Sequence, residues 1–405
     1  MYKMKKDISS KGLTIRYGIH QLLFFSISAG ISTFAATYLL EKGFNTTQIG
    51  ALLATSNLLS CMIQPLVGDI VDRFRKFILP QTIALIFAAV FLCFSVIQFL
   101  NPPTGIFGLL YGTGVLLASI TNSLNNSLCA YYSNHNYPIN YGVGLGVGSL
   151  AFSFASLGYG YIMAWLGVEW MIWIVLALCI ILITVVIGYP GLSALNVRTA
   201  ESRKKEAEER VSLWTFFSKY KLFTFTMSGV MLIAMCHTMS ENYFIKIFQS
   251  VGGGSEDVGV AMFIACLSAA PYYLFFEKIE KRISIHTMLK TAGVFFMIKT
   301  ILLLLATRTW HVYLIQLLQT FTYGFIYQPL YYFARKRIAE ADLAKGQAVV
   351  VSLYTLGSAI GSFVGGRVLD LFGLDWMLWL ALGIAFVGTI IIHTALKMIE
   401  SERMR

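Results

Sequence analysis

Long runs without charge decide what this chain can become. Phe77 to Leu100 contains no charged residue, and apolar runs of about 20 residues recur from one end of the sequence to the other. Such a run crosses a hydrocarbon core of about 30 Å as a helix. Lipid offers the backbone no hydrogen bonds, so each span must satisfy its own amides and carbonyls. Hydrophobic residues make up 57% of the chain and charged residues 13%, against about 45–50% and about 25% in soluble domains. Most of the chain therefore belongs in a bilayer, and an all-α integral membrane protein is predicted.

A net charge of +11 could suit a polyanion, but the placement of the basic residues points elsewhere. Threading the predicted spans from a cytoplasmic N-terminus leaves all but five of the 31 Lys and Arg residues on one side. Lys42, Lys246, Arg308 and Arg367 fall on or near the other side, and Lys299 falls inside a span. This positive-inside pattern puts both termini in the cytoplasm of a plasma-membrane protein, with anionic headgroups rather than nucleic acid facing the basic loops. The six cysteines stand singly in apolar segments, without metal spacing or a disulfide framework. Lys3, Lys5, Lys6 and Lys11 precede the first run, which lacks an A-x-A-like cleavage site and reads as a retained helix.

The chain also repeats itself. Leu166–Ile174 reads L-G-V-E-W-M-I-W-I, and Phe372–Leu380, about half the chain later, reads F-G-L-D-W-M-L-W-L. Every position is kept or conservatively replaced, which implies a duplicated unit. Twelve transmembrane helices in two pseudo-symmetric six-helix halves are predicted. The first half occupies residues 1–192, a cytoplasmic linker residues 193–219, and the second half residues 220–405. The linker carries the longest polar stretch, Ala200–Arg210, a charge run that reads as a solvated connector. The fifth predicted helix opens with Gly142, Gly144, Gly146 and Gly148, and the eleventh carries Gly357, Gly361, Gly365 and Gly366. Such G-x-x-x-G spacing lets a neighbouring helix approach the backbone closely. The Trp-Met-x-Trp copies open the sixth and twelfth helices, where Trp suits the membrane interface.

This arrangement resembles the major facilitator superfamily of transporters. The turn after the second helix, G-D-I-V-D-R-F-R-K, is similar to that family's G-x-x-x-D-R-x-G-R-R loop through Gly68, Asp72, Arg73 and Lys76, with Arg75 where the family has a second glycine. Within the superfamily the chain looks most like the lactose-permease-like oligosaccharide and proton symporter branch. Tyr141-Gly142 through Gly148-Ser149 is similar to the branch's Y-G-x-x-R-x-W-G-S, but Leu145 or Gly144 stands where the arginine would be, and the fourth-helix acid falls at Asn126. The resemblance matches Glu241 to an acidic position and Lys299 to a functional arginine, while the tenth-helix His and Glu fall at Gln319 and Thr322. It implies a cavity lined by helices 1, 4, 7 and 10.

Several residues could carry transport. An intramembrane lysine costs about 2.5–3.5 kcal/mol on lenient insertion scales, so Lys299 should face a partner or a wet cavity. Glu241 is the natural partner, and His237 lies four residues before it on the same face. These three read as a proton-coupling set, or alternatively as a structural ion pair. Gln316, Gln319, Tyr323 and Tyr327 are spaced three and four apart in the tenth helix, as are Asn122, Asn125 and Asn126 in the fourth, and the first offers Tyr17, Gln21, Phe24 and Ser28. Amides donate and accept while rings stack, which suits a neutral hydroxylated solute. The bland alternative is bonding between neighbouring helices. Gly68, Asp72 and Arg73 read as part of a cytoplasmic gate.

The expected function is secondary transport of a small polar solute, such as a sugar or oligosaccharide, by alternating access near the midplane, with proton-coupled uptake first. An exporter is the rival, although the G-x-x-x-G-P motif of drug antiporters is absent, and a transporter-like sensor is a third possibility. An enzyme is not expected: there is no H-E-x-x-H or G-x-S-x-G and only six His. No cofactor or metal beyond a proton gradient is expected, and the protein is expected to be a monomer in the bilayer.

Overall fold

The computed structural model describes residues 10–73, 79–133, 137–190 and 213–404, and every regular element among them is a helix. In chain order these are α1 (Ser10–Ser28), a π-helical turn (Ala29–Thr33), α2 (Ala35–Glu41), α3 (Thr46–Arg73), α4 (Leu79–Leu100), α5 (Thr104–Ser133), α6 (Tyr141–Leu166) and α7 (Glu169–Ile187). Beyond the linker come α8 (Leu213–Lys219), α9 (Lys221–Asn242), α10 (Phe244–Ser250), α11 (Ser255–Leu274), α12 (Phe276–Glu280) and α13 (Ile285–Leu304). The series ends with α14 (Thr309–Gln316), α15 (Gly324–Arg337), α16 (Leu343–Phe372) and α17 (Leu374–Met404). Among the described residues nine helices are long and apolar enough to cross a membrane, or ten if the broken pair Ser10–Thr33 and Ala35–Glu41 counts as one span. The predicted tenth span is not one helix, because it breaks between α14 and α15. Ala200–Arg210 lies outside the described residues.

Contacts group Met1–Ala35 with Leu59–Glu209, and Ala36–Leu58 with Arg210–Arg405. In the first unit α1 packs on α6 and α7, and α4 on α5 and α7. In the second α9 packs on α16 and α17, and α13 on α15 and α17. The pairings match element for element along the two predicted halves, as duplication requires.

The glycine stripes explain the closest of these pairings. A Cβ on Gly144 or Gly148 of α6 would strike the rings of Tyr17 and Phe25 on α1, whereas Gly146 faces open space, so one of the two predicted G-x-x-x-G pairs makes the contact. On α16, a Cβ on Gly357 or Gly361 would strike the carbonyls of Met231 and Met235 on α9. The sequence repeat maps onto the junctions that follow these helices. Gly167 and Gly373 end α6 and α16 at φ 97° and 87°, a left-handed backbone that favours glycine. Met171 and Met377 are then buried while Trp170, Trp173, Trp376 and Trp379 are exposed on the protein surface.

The π-helical turn in the first span also has a local cause. Gly30 lets the Tyr159 ring approach, and the Tyr111 hydroxyl donates to the Ile31 carbonyl at 2.9 Å. That bond occupies a carbonyl that a continuous α-helix would use internally.

Within the second unit, Asp370 near the end of α16 caps the start of α3. Its Oδ1 accepts from the Thr46 amide at 3.1 Å and its Oδ2 from the Thr47 amide at 2.7 Å, with both threonine hydroxyls also donating to the carboxylate. Tyr243 adds its hydroxyl to the carbonyls of Ser362 and Thr46, at 2.6 and 3.1 Å. The first amides of a helix lack internal partners, and a carboxylate there satisfies both the hydrogen bonds and the positive end of the dipole.

Candidate functional site

The charged cluster of the second unit is assembled from α9, α13 and the break after α14. Lys299 lies on the buried face of α13 and is 4% exposed. Its ammonium donates to Glu241 Oε1 at 3.3 Å, Gln316 Oε1 at 3.0 Å and Gln319 Oε1 at 2.8 Å. The expected Lys299–Glu241 pairing is thus present, joined by two amides. The break explains how both amides reach one lysine. Leu317–Thr320 forms a 3₁₀ turn, and with three residues per turn it aligns side chains three apart, where an α-helix would offset them by about 60°. Gln316 and Gln319 are such a pair.

Around this core the aromatic groups form a wall. His237 Nδ1 stands 3.9 Å from Glu241 Oε1, too far for a hydrogen bond. Its ring faces Tyr323 at 5.2 Å, and Tyr323 stacks on Tyr327 at 5.2 Å with 17° between planes. Tyr354 of α16, which the sequence did not single out, closes on Tyr327 edge-on at 6.5 Å. Tyr327 is exposed while Gln316 is buried, so the wall runs from open to enclosed.

In the first unit the predicted polar face divides. Asn125 is fully buried, whereas Asn122 and Asn126 are exposed. Gln21 Nε2 donates to the Tyr17 hydroxyl at 2.6 Å, and that hydroxyl donates to the Asn125 carbonyl at 3.3 Å. Asn126 Oδ1 accepts from the Tyr141 hydroxyl at 3.3 Å. His20 went unnoticed in the sequence. It is fully buried with its ring near those of Tyr17 and Tyr189, and its ring nitrogens make no well-formed hydrogen bond, with the Asn125 side chain as their polar neighbour. The Asn125 amide and Gln21 Oε1 also make no well-formed hydrogen bond within the protein. The available signal was the burial of a second polar residue next to Gln21 in an apolar run.

Gly68, Asp72 and Arg73 fall in the last turns of α3, where their side chains lie outside the described residues. An acid that the structure does describe at a helix end is Asp370, which caps α3. A Thr-Thr pair opening one helix and an acid closing another were its sequence signals. No group of three or more His, Cys, Asp or Glu able to hold a metal occurs among the described residues.

An all-helical fold rich in membrane-crossing helices, with a lysine–carboxylate–amide cluster among them, fits a transporter. The chain belongs to the MFS_1 like family, whose profile matches residues 14–380, and it is an MFS-type secondary transporter and a multi-pass membrane protein. It is similar to the maltose permease of Geobacillus stearothermophilus, 24% identical over 361 residues that cover 86% of each chain. Its fold is similar to that of the nucleoside transporter NupG, with a TM-score of 0.82 at 15% identity over 95% of this chain and 99% of that one. It is also similar to the peptide transporter POT, with a TM-score of 0.72 at 12% identity over 98% and 96% of the two chains.

Proposed function

We propose that this protein takes up a small, uncharged polar solute across the plasma membrane by alternating access, coupled to protons, with twelve spans in two six-helix halves and both termini in the cytoplasm. The observation that carries the reading is Lys299, a cation within a membrane helix bonded to Glu241, Gln316 and Gln319. A desolvated ion pair joined to neutral amides puts charge and solute-binding chemistry in one place, so protonation of the carboxylate can be felt by the amides. Within the first unit, Gln21, Asn122, Asn125 and Asn126 are proposed as amides for the same kind of polar solute.

Sugars are the first solute class, supported by the similarity to a maltose permease. The Tyr323–Tyr327 stack supports a nucleoside as the second, because a flat apolar face suits a nucleobase. The test is uptake of labelled maltose and labelled uridine into proteoliposomes with an imposed inward proton gradient. Accumulation that collapses with a protonophore is expected. Uptake indifferent to the gradient would remove the coupling, and no uptake of either would remove both solute classes.

A further inference from the structure

We infer that Lys299 is a positioning residue: it turns the amides of Gln316 and Gln319 so that they recognise the solute through its hydrogen-bond acceptors, an inference resting on the solute site proposed above. An ammonium carries three N–H donors and no acceptor. Three oxygens surround Lys299 Nζ at 3.3, 3.0 and 2.8 Å. All three protons are committed, and none remains for a solute.

The same contacts fix the amides. Because a lysine cannot accept, each glutamine offers it oxygen, and each Nε2 takes the other position on its amide. Gln316 is 1% exposed, and its Nε2 is buried without a protein partner. Among the described residues Gln319 Nε2 also has no protein acceptor, while its Oε1 is held by the lysine. A buried donor left unmade, as at Gln316, is costly, while that of the half-buried Gln319 stays open to a solute. The unmet demand of this cluster is for acceptors, which a hydroxyl, ether or carbonyl oxygen or a ring nitrogen on the solute supplies. Without the ammonium, either amide can turn over and present oxygen or nitrogen, and the two residues no longer distinguish acceptor from donor. Lys299 therefore sets specificity without touching the solute.

Purified full-length protein is compared with Gln319→Glu, Lys299→Met and the double variant by thermal unfolding, alone and with maltose or uridine. Gln319→Glu keeps an oxygen for Lys299 and loses the amide donors. Its unfolding temperature should fall less than the same change lowers it without Lys299, because the new carboxylate shares that ammonium with Glu241, while affinity for the solute falls at least about tenfold. In the Lys299→Met background the same change should lower the unfolding temperature, because the new carboxylate lacks its cation.

For whichever solute binds, single-position methyl ethers accept but cannot donate, and deoxy derivatives do neither. At the position facing the amides the methyl ether should bind about tenfold more tightly than the deoxy compound, a difference that shrinks to about threefold or less in Lys299→Met. A purely structural lysine would leave that ratio unchanged. Overturning results are a Gln319→Glu variant destabilised as much with Lys299 as without it, or methyl ethers that fail with the deoxy compounds at every position. If neither parent solute binds, the solute reading fails for those probes, and the stability comparison alone still decides the lysine–amide geometry.

Discussion

In the second unit Lys299 draws Glu241, Gln316 and Gln319 onto one nitrogen, whereas in the first unit Tyr17, Gln21, His20 and Asn125 gather with no charge among them and leave polar atoms on three side chains, His20, Gln21 and Asn125, without a well-formed hydrogen bond. The two clusters arise on helices that pack in matching ways. The helix pairings of the two units correspond, while their buried polar chemistry differs. A charge inside a membrane helix forces its surroundings to organise around it, because leaving it unpaired is far costlier than leaving a neutral amide unpaired. The neutral cluster is free of that demand, so its side chains need not satisfy one another.

The largest test of this contrast is Lys299→Met. It strands Glu241 and releases both amides, and should cost about 3–5 kcal/mol of stability and abolish solute uptake. Thermal unfolding and proteoliposome uptake measure the two effects. Adding Glu241→Gln should recover much of the stability without the uptake, and a Lys299→Met protein as stable as the parent would erase the difference between the clusters. Next is Asp370→Asn, which keeps the shape of the α3 cap but removes its charge. A loss of about 1 kcal/mol is expected in the same unfolding assay, showing what charge contributes where the carboxylate is exposed.

His20→Phe should lie lower still. It removes at most a weak contact with Asn125, so stability should hold within about 1 kcal/mol, and a loss as large as that of Lys299→Met would show that the neutral cluster is as tightly organised as the charged one. The smallest effect concerns Asp342. Its carboxyl is held below the usual range by the Lys219 ammonium and the Tyr220 hydroxyl, while Lys219 is raised by Asp342. A lowered carboxyl contributes stability above its unfolded value, lost as pH falls through the folded one. A raised lysine contributes below its unfolded value, lost as pH rises through the folded one. Hydrogen-exchange protection factors in α8, corrected for the intrinsic pH dependence of amide exchange, should therefore be flat across neutral pH and fall only toward the acid and alkaline ends.

The duplication was legible because it rests on local rules. Gly167 and Gly373 had to be glycines at a left-handed helix end, and the Met between two Trp had to face inward. Lys299 and Glu241 were legible as a pair because an intramembrane charge demands one. The break after Gln316 was not, since its residues follow helical spacing and no proline or glycine stands within the 3₁₀ turn Leu317–Thr320 to announce it. His20 was hidden for a different reason: it shares the face of Tyr17 and Phe24 at three- and four-residue spacing, but so does Gln21, and spacing alone does not show that both are buried. The Asp370 cap joins residues far apart in sequence, so neither end announces the other.

That cap has a consequence for timing. Two amides and two hydroxyls converge on one carboxylate, with Tyr243 tying the adjacent carbonyls. Bonds that share a single acceptor group are not peeled away one at a time with water filling each place; withdrawing Asp370 breaks them together. Separation of α3 from α16 then becomes an activated step with a waiting time of its own, and each bond lost from the set, at about 1 kcal/mol, shortens that wait roughly fivefold.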